Sequence, residues 1–134
     1  MRENDGIRKK GAQKMSSRED YRDFILKKLD ERTLLEQLAE EASELSQAAL
    51  KLIRAKGLNN NVTPKTEYEA IQNIVEEMRD RSIVITLLCY KDKKLLAAIF
   101  NSEDVENSPK WKRWAERLGY KQPGNMSIQF LKSF

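Results

Sequence analysis

The sequence predicts an all-α chain, a helical bundle built on two long helices that fold back on each other as an antiparallel hairpin over about residues 33–90. Three observations predict it. Gly and Pro number only 5 and 3 among 134 residues, while 34% of the chain is charged, a mixture that favours long helices over a sandwich or barrel. Apolar residues recur at helical spacing, as in Leu38, Ala42, Leu45, Ala49 and Leu52, which places them on one side of a helix. Two acidic repeats, Glu40-Glu41-Ala42-Ser43-Glu44 and Glu76-Glu77-Met78-Arg79-Asp80, each carry acids three residues apart, a spacing that shares a face only on a helix. The length and the 40% apolar content suffice for one domain with a core.

The elements follow in order. Met1 to Lys14 sets Arg2, Arg8, Lys9, Lys10 and Lys14 against Glu3 and Asp5 and reads as a flexible, solubilising basic arm over residues 1–15. A single domain is expected over 16–134. Its first helix starts near Ser17, whose Ser-Arg-Glu-Asp run is a capping signal, and turns Tyr21, Phe24, Ile25 and Leu29 inward. Thr33-Leu-Leu-Glu36 reads as a capping box for the second helix, which runs to about Lys56 and stops at Gly57. Asn59-Asn60-Asn61 and Pro64 form a loop. The third helix spans about Pro64 or Lys65 to Tyr90, and Asp92-Lys93 breaks it. Lys94 to Phe100 is a short apolar helix. Ser108-Pro109 supplies a cap and a first-turn proline for Lys110 to Leu118, which Gly119 ends. In the tail, Ile128, Phe130, Leu131 and Phe134 suggest packing.

Composition excludes several chemistries. The chain has no histidine and one cysteine, Cys89. Ser-His-Asp and Cys-His catalysis, His-ligated zinc and an internal disulfide are therefore ruled out. No apolar run has membrane-spanning length, and the basic start is followed by no apolar signal segment. A membrane partner is not expected, and the reducing cytoplasm is the expected compartment.

The acids are sorted by angle. At about 100° per residue from Leu38, Glu41 falls at about −60°, on the edge of the apolar stripe, and Glu44 at about −120°. Measured from Ile74, with Ala70, Met78, Ile85 and Leu88 as the stripe, Glu77 and Asp80 fall at the same two angles. Glu40, Glu76 and Glu36 face away. Height agrees with angle: Glu44 lies as far before Gly57 as Glu77 lies after Pro64, and Glu41 and Asp80 match likewise. In a hairpin all four acids meet about 20–24 Å from the loop. Like charges so placed repel without a counter-ion. A hard divalent cation is the expected one, because magnesium takes oxygen ligands and bridges carboxylates to phosphates.

These residues resemble a family. Glu40-Glu41-Ala42-Ser43-Glu44-Leu45 followed by Glu76-Glu77-Met78-Arg79-Asp80 is similar to the Glu-x-x-Glu … Glu-x-x-Asp signature of the MazG-like all-α nucleoside triphosphate pyrophosphohydrolases, relatives of the all-α dimeric dUTPases and dCTP pyrophosphatases. The resemblance covers roughly Asp30 to Tyr90. It implies a hydrolase that splits an NTP or dNTP into the monophosphate and pyrophosphate, in a nucleotide-pool house-cleaning role. It implies Mg²⁺, with Mn²⁺ as a substitute, held by Glu41, Glu44, Glu77 and Asp80, and either Glu41 or Glu44 orienting the attacking water. The chain departs from the pattern at Arg79 and Arg81, which stand where small or branched apolar residues are common, and in the thirty-two residues between Glu44 and Glu77.

Lys51, Arg54 and Arg81 are the candidate contacts to substrate phosphate. Arg81 falls inside the apolar stripe, at about −20°, where a snorkelling or ion-paired arginine competes with a phosphate contact. Trp111 and Trp114, on a basic segment, are expected in core or subunit packing, with base stacking as the alternative. Ile83 and Leu87 lie opposite the main stripe of the third helix. A hairpin with two short helices hardly covers both sides, so a homodimer or homotetramer is expected, as the resemblance also implies. Nucleic acid is not an expected partner, because the acidic faces oppose DNA. The competing functional reading is a MazG-like helical module that binds nucleotide or nucleic acid without turnover.

Overall fold

A computed structural model describes residues 14–61, 64–102 and 104–124. The expectations for Met1 to Gln13 and for the apolar tail from Asn125 to Phe134 lie outside them. The described residues form five helices and no strand: α1 (Arg18–Lys28), α2 (Glu31–Ala55), α3 (Glu67–Lys91), α4 (Lys93–Phe100) and α5 (Lys110–Arg117). None is long and apolar enough to cross a membrane. Two compact units divide the chain, Met1–Leu96 and Ala97–Phe134.

Local chemistry sets the helix ends in the first unit. Ser17 caps α1 by accepting from the Asp20 N–H, and the Asp20 carboxylate accepts in return from the Ser17 N–H at 2.8 Å. Thr66 and Glu69 form the same reciprocal box at α3. At α2 the cap is not Thr33. Asp30 is the cap, accepting from the Thr33 N–H at 2.8 Å. Thr33 therefore sits inside the first turn, and Glu36 pairs with Arg32 one turn back. A short acidic side chain just ahead of the helix competes well with threonine for this role. The α2 terminus is as expected: Gly57 adopts φ 67°, its N–H donates to the Arg54 carbonyl and the Leu58 N–H to the Ile53 carbonyl. This closes a Schellman motif that a residue with a β-carbon enters at a cost.

α2 and α3 pack together along their lengths. An ion pair between Lys56 and Glu67 joins the end of one to the start of the other, while Leu34, near the start of α2, packs with Val84, Leu87 and Leu88 near the end of α3. The helices therefore run in opposite directions. Leu34 and Leu88 are fully buried, each contributing about 1.5–3 kcal/mol. Ile25, Leu26, Leu29, Leu38 and Leu95 close over this cluster. α1 is clipped to the end of α3 by Arg22, whose guanidinium lies 4.8 Å from the Tyr90 ring centroid and donates to its hydroxyl, and by Lys91, which donates to the Leu26 carbonyl.

The buried seam is rotated from the expected stripe. On α2 the buried positions are Leu34, Glu41 and Ala48, seven residues apart, whereas Ala42 and Ala49 are exposed. On α3 Ala70 and Val84 are buried with half-buried Glu77 between them, again at intervals of seven, and Met78 is exposed. A seven-residue ladder keeps two long helices in contact better than a 3.6-residue stripe does. Of the expected stripes, Ala70 and Leu88 are buried and Leu38 packs on the core, while the centre of the seam lies about 60° round from Leu38 and Ile74, at Glu41 and Glu77. α1 is corrected in the same way: Tyr21 and Phe24 are exposed, and Ile25, Leu26 and Leu29 turn inward. Leu87 belongs to the chain's own core, so of the two residues expected to need a partner's cover only Ile83 remains, 57% exposed.

In the second unit, Pro109 rather than Ser108 holds the N-cap position of α5, without a side-chain cap hydrogen bond, and Ser108 Oγ, one residue earlier, accepts from the Lys110 N–H. Gly119, at φ 97°, ends the helix with a second Schellman motif, its N–H donating to Glu116 and the Tyr120 N–H to Ala115.

Candidate metal centre

Each acid owes its position to the seam. Glu41 stands between Leu34 and Ala48 on the α2 ladder and is only 9% exposed. Glu77 holds the matching place on α3, between Ala70 and Val84. Asp80, one turn on, is half-buried, and Glu44, one turn from Glu41, is exposed. The mid-length acids lie level, because opposed helices of equal length pair residues equally far from their shared end. One carboxylate oxygen from each of Glu41, Glu77 and Asp80 lies within 4.8 Å of the other two. Glu44 stands outside this group of three, exposed, and its negative charge helps raise the Glu77 carboxyl. Three of the four acids expected to meet, Glu41, Glu77 and Asp80, are thus neighbours, while Glu44 is exposed one turn from Glu41 and Glu40 and Glu76 face water.

Among the described residues no lysine or arginine forms an ion pair with the group. Glu41 Oε1 accepts from Gln37 Nε2 at 2.7 Å, but Glu41 Oε2 and Glu77 Oε2 are buried with no hydrogen-bond partner among the described residues. Withdrawal from water, then the charge and hydrogen bond of Glu44, then Asp80 and Glu41, push the Glu77 carboxyl above the usual carboxylate range. Two buried, unsatisfied carboxylate oxygens in a cluster of acids are an arrangement that a cation relieves and a folded protein otherwise avoids. The donor set, all carboxylate oxygen from two rigid helices, suits a hard divalent ion.

The candidate phosphate contacts do not share one place. Arg81 adjoins Asp80 in the chain and is half-buried, its Nε buried without a partner. Among the described residues it makes no ion pair, so it neither neutralises the acids nor bonds to a carboxylate. Arg54 likewise has a buried, unpartnered Nε, but it lies ten residues beyond Glu44, roughly 15 Å along the axis. Lys51 lies seven residues beyond Glu44, roughly 10 Å along the axis. Arg81 is the only one of the three adjacent to the acids. Gln37, which orients Glu41, went unnoticed in the sequence, although its place one turn ahead of a motif glutamate is the signal that finds it.

Compared with protein-family models, with curated proteins and with solved structures, the chain matches none of them.

Proposed function

We propose that the chain is a divalent-cation-dependent nucleoside triphosphate pyrophosphohydrolase, cleaving between the α and β phosphates and serving nucleotide-pool house-cleaning. The observation that carries this reading is the pair of buried, unpartnered oxygens of Glu41 and Glu77, within a cluster that also holds Asp80. Glu41, Glu44, Glu77 and Asp80 are the residues that would hold Mg²⁺, or Mn²⁺ in its place. When bound, the ion neutralises triphosphate charge and acidifies water. The chain's own residues divide the remaining work. Gln37 holds the Glu41 carboxylate in one orientation, which makes Glu41 a fixed ligand. Glu44, exposed beside Glu77, has access to solvent and is assigned to orient the attacking water and accept its proton. Arg81 is assigned to a non-bridging phosphate oxygen, because its Nε lacks a partner and it adjoins Asp80 in the chain. No histidine is needed for this chemistry.

The active form is proposed to be a homodimer or homotetramer that completes the helical bundle. Ile83, Met78 and Leu50 leave apolar surface on the long helices that a second copy would cover.

The test is pyrophosphate release from a panel of NTPs and dNTPs with magnesium. Release is expected from at least one, and Glu44→Ala or Asp80→Ala should reduce it at least a hundredfold while the helical signal in circular dichroism persists. Nucleotide binding without release from any of them would instead establish a binding module that has lost turnover.

A further inference from the structure

α5, in the second unit, carries an exposed aromatic and basic surface. Trp111, Trp114 and Leu118 follow one another at helical spacing and form a stripe along it. Lys110, Arg113 and Arg117, with the same spacing, form a second stripe about 100° round the axis. Trp111 and Trp114 are 60% and 57% exposed, and Leu118 more so. The tryptophans expected in a core are therefore not in one among the described residues.

The surface is ordered and electrostatically unsatisfied. Trp111 Nε1 donates to the Val105 carbonyl, which fixes the ring's edge. Lys110 Nζ lies 5.4 Å from the Trp114 ring centroid. The two indoles share with Val105, Ser108 and Lys110 a hollow of about 270 Å³. Glu116 is the only acid on the helix, and it pairs with Lys112. Lys110, Arg113 and Arg117 make no ion pair among the described residues.

We propose that this surface binds single-stranded nucleic acid, with bases stacked on the indoles and phosphates along the cationic stripe. An aromatic stripe beside a cationic one is the arrangement that such strands require, and it tolerates any sequence because every base has a π face. The cationic stripe is roughly 10 Å long and offers one cation to each of three successive phosphates. A lipid surface is the poorer fit. Interfacial helices bury a long apolar face, whereas this one offers three large apolar side chains with the cations to one side.

The chain has two tryptophans and both lie here, so tryptophan fluorescence, excited at wavelengths that the four tyrosines do not absorb, reports on this surface. The full chain is titrated with a short oligothymidylate in EDTA, which keeps the acidic cluster out of the measurement. Saturable quenching is expected. With three phosphate contacts the affinity should fall with a log–log salt slope of about −2, or roughly twentyfold between about 50 and about 200 mM salt. Trp114→Ala should weaken binding about tenfold. The double variant Arg113→Gln, Arg117→Gln leaves the helix intact and should flatten the slope to about −0.7. Absence of quenching, quenching that ignores salt, or a response to phosphatidylserine vesicles but not to the oligonucleotide would each overturn the proposal.

Discussion

Replacing Glu41 with methionine should stabilise the metal-free protein while abolishing its response to magnesium. Glu41 is 9% exposed and its Oε2 has no partner. An unsatisfied buried polar atom costs about 1–3 kcal/mol, and an ionised one more. Methionine has nearly the same length and fills the same space between Leu34 and Ala48 with no polar oxygen. Against this gain stands the lost hydrogen bond from Gln37, about 1 kcal/mol. Gln37 is only half-buried, so its amide can turn to water. The net is a gain of about 1–2 kcal/mol, which for a chain of this size raises Tm by roughly 3–8 °C. The measurement is a thermal melt followed by far-ultraviolet circular dichroism, in EDTA and again with excess magnesium. Wild type should gain about 2.7 kcal/mol at a magnesium concentration of about a hundred times Kd, and the variant should gain nothing. A variant that melts lower than wild type in EDTA would refute the claim that Glu41 is strained without a cation. A variant that keeps the full magnesium shift would refute its place in the metal centre.

Three further outcomes follow from the same structure. Because the Glu77 carboxyl is raised above its ordinary value, the folded state holds its proton more tightly than the unfolded state. This acid therefore opposes folding increasingly as pH rises from the unfolded value through the folded one. In EDTA, Glu77→Gln should melt above wild type at neutral pH, and the difference should shrink as pH falls towards the ordinary carboxylate range; a difference independent of pH would contradict this. Leu34→Ala removes a fully buried side chain from the α1–α2–α3 cluster and should cost about 3 kcal/mol in urea unfolding. Thr66→Ala takes away the hydroxyl that receives the Glu69 N–H and should cost about 1 kcal/mol, with no change in magnesium affinity by calorimetry.

The helices were legible because their ends are written in short-range chemistry. Ser17, Gly57, Asp92 and Gly119 each act on neighbours within five residues, and such signals survive without knowledge of the rest of the fold. The level placement of the acids was legible too, since it needs only equal distances from a shared loop. The face on which each helix packs was harder. The partner, not the helix, decides which of two adjacent apolar positions is buried. Small residues such as Ala42 and Ala48 look alike in sequence, yet one is exposed and the other buried. The intervals of seven from Leu34 to Glu41 to Ala48 held the answer, but they run through a glutamate, which an apolar pattern skips. Asp30 was missed for a similar reason: a threonine three residues later offered a familiar box, and only backbone geometry shows which residue stands outside the helix.

Those intervals of seven have a further consequence. Two ladders with a regular repeat can align in several ways, and sliding one by seven residues preserves apolar contacts at most positions. A cation shared among the acids, as proposed, would oppose it. Moved one step, Glu41 would stand level with Leu87 or with Asn73 instead of Asp80, and its carboxylate would be buried with no shared cation within reach. With a divalent ion held as proposed, the carboxylates would select one alignment out of several, as a single polar residue does in the seam of a coiled coil. Divalent ion present during folding should sharpen that selection, and chains folded without it should reach the native pairing more slowly.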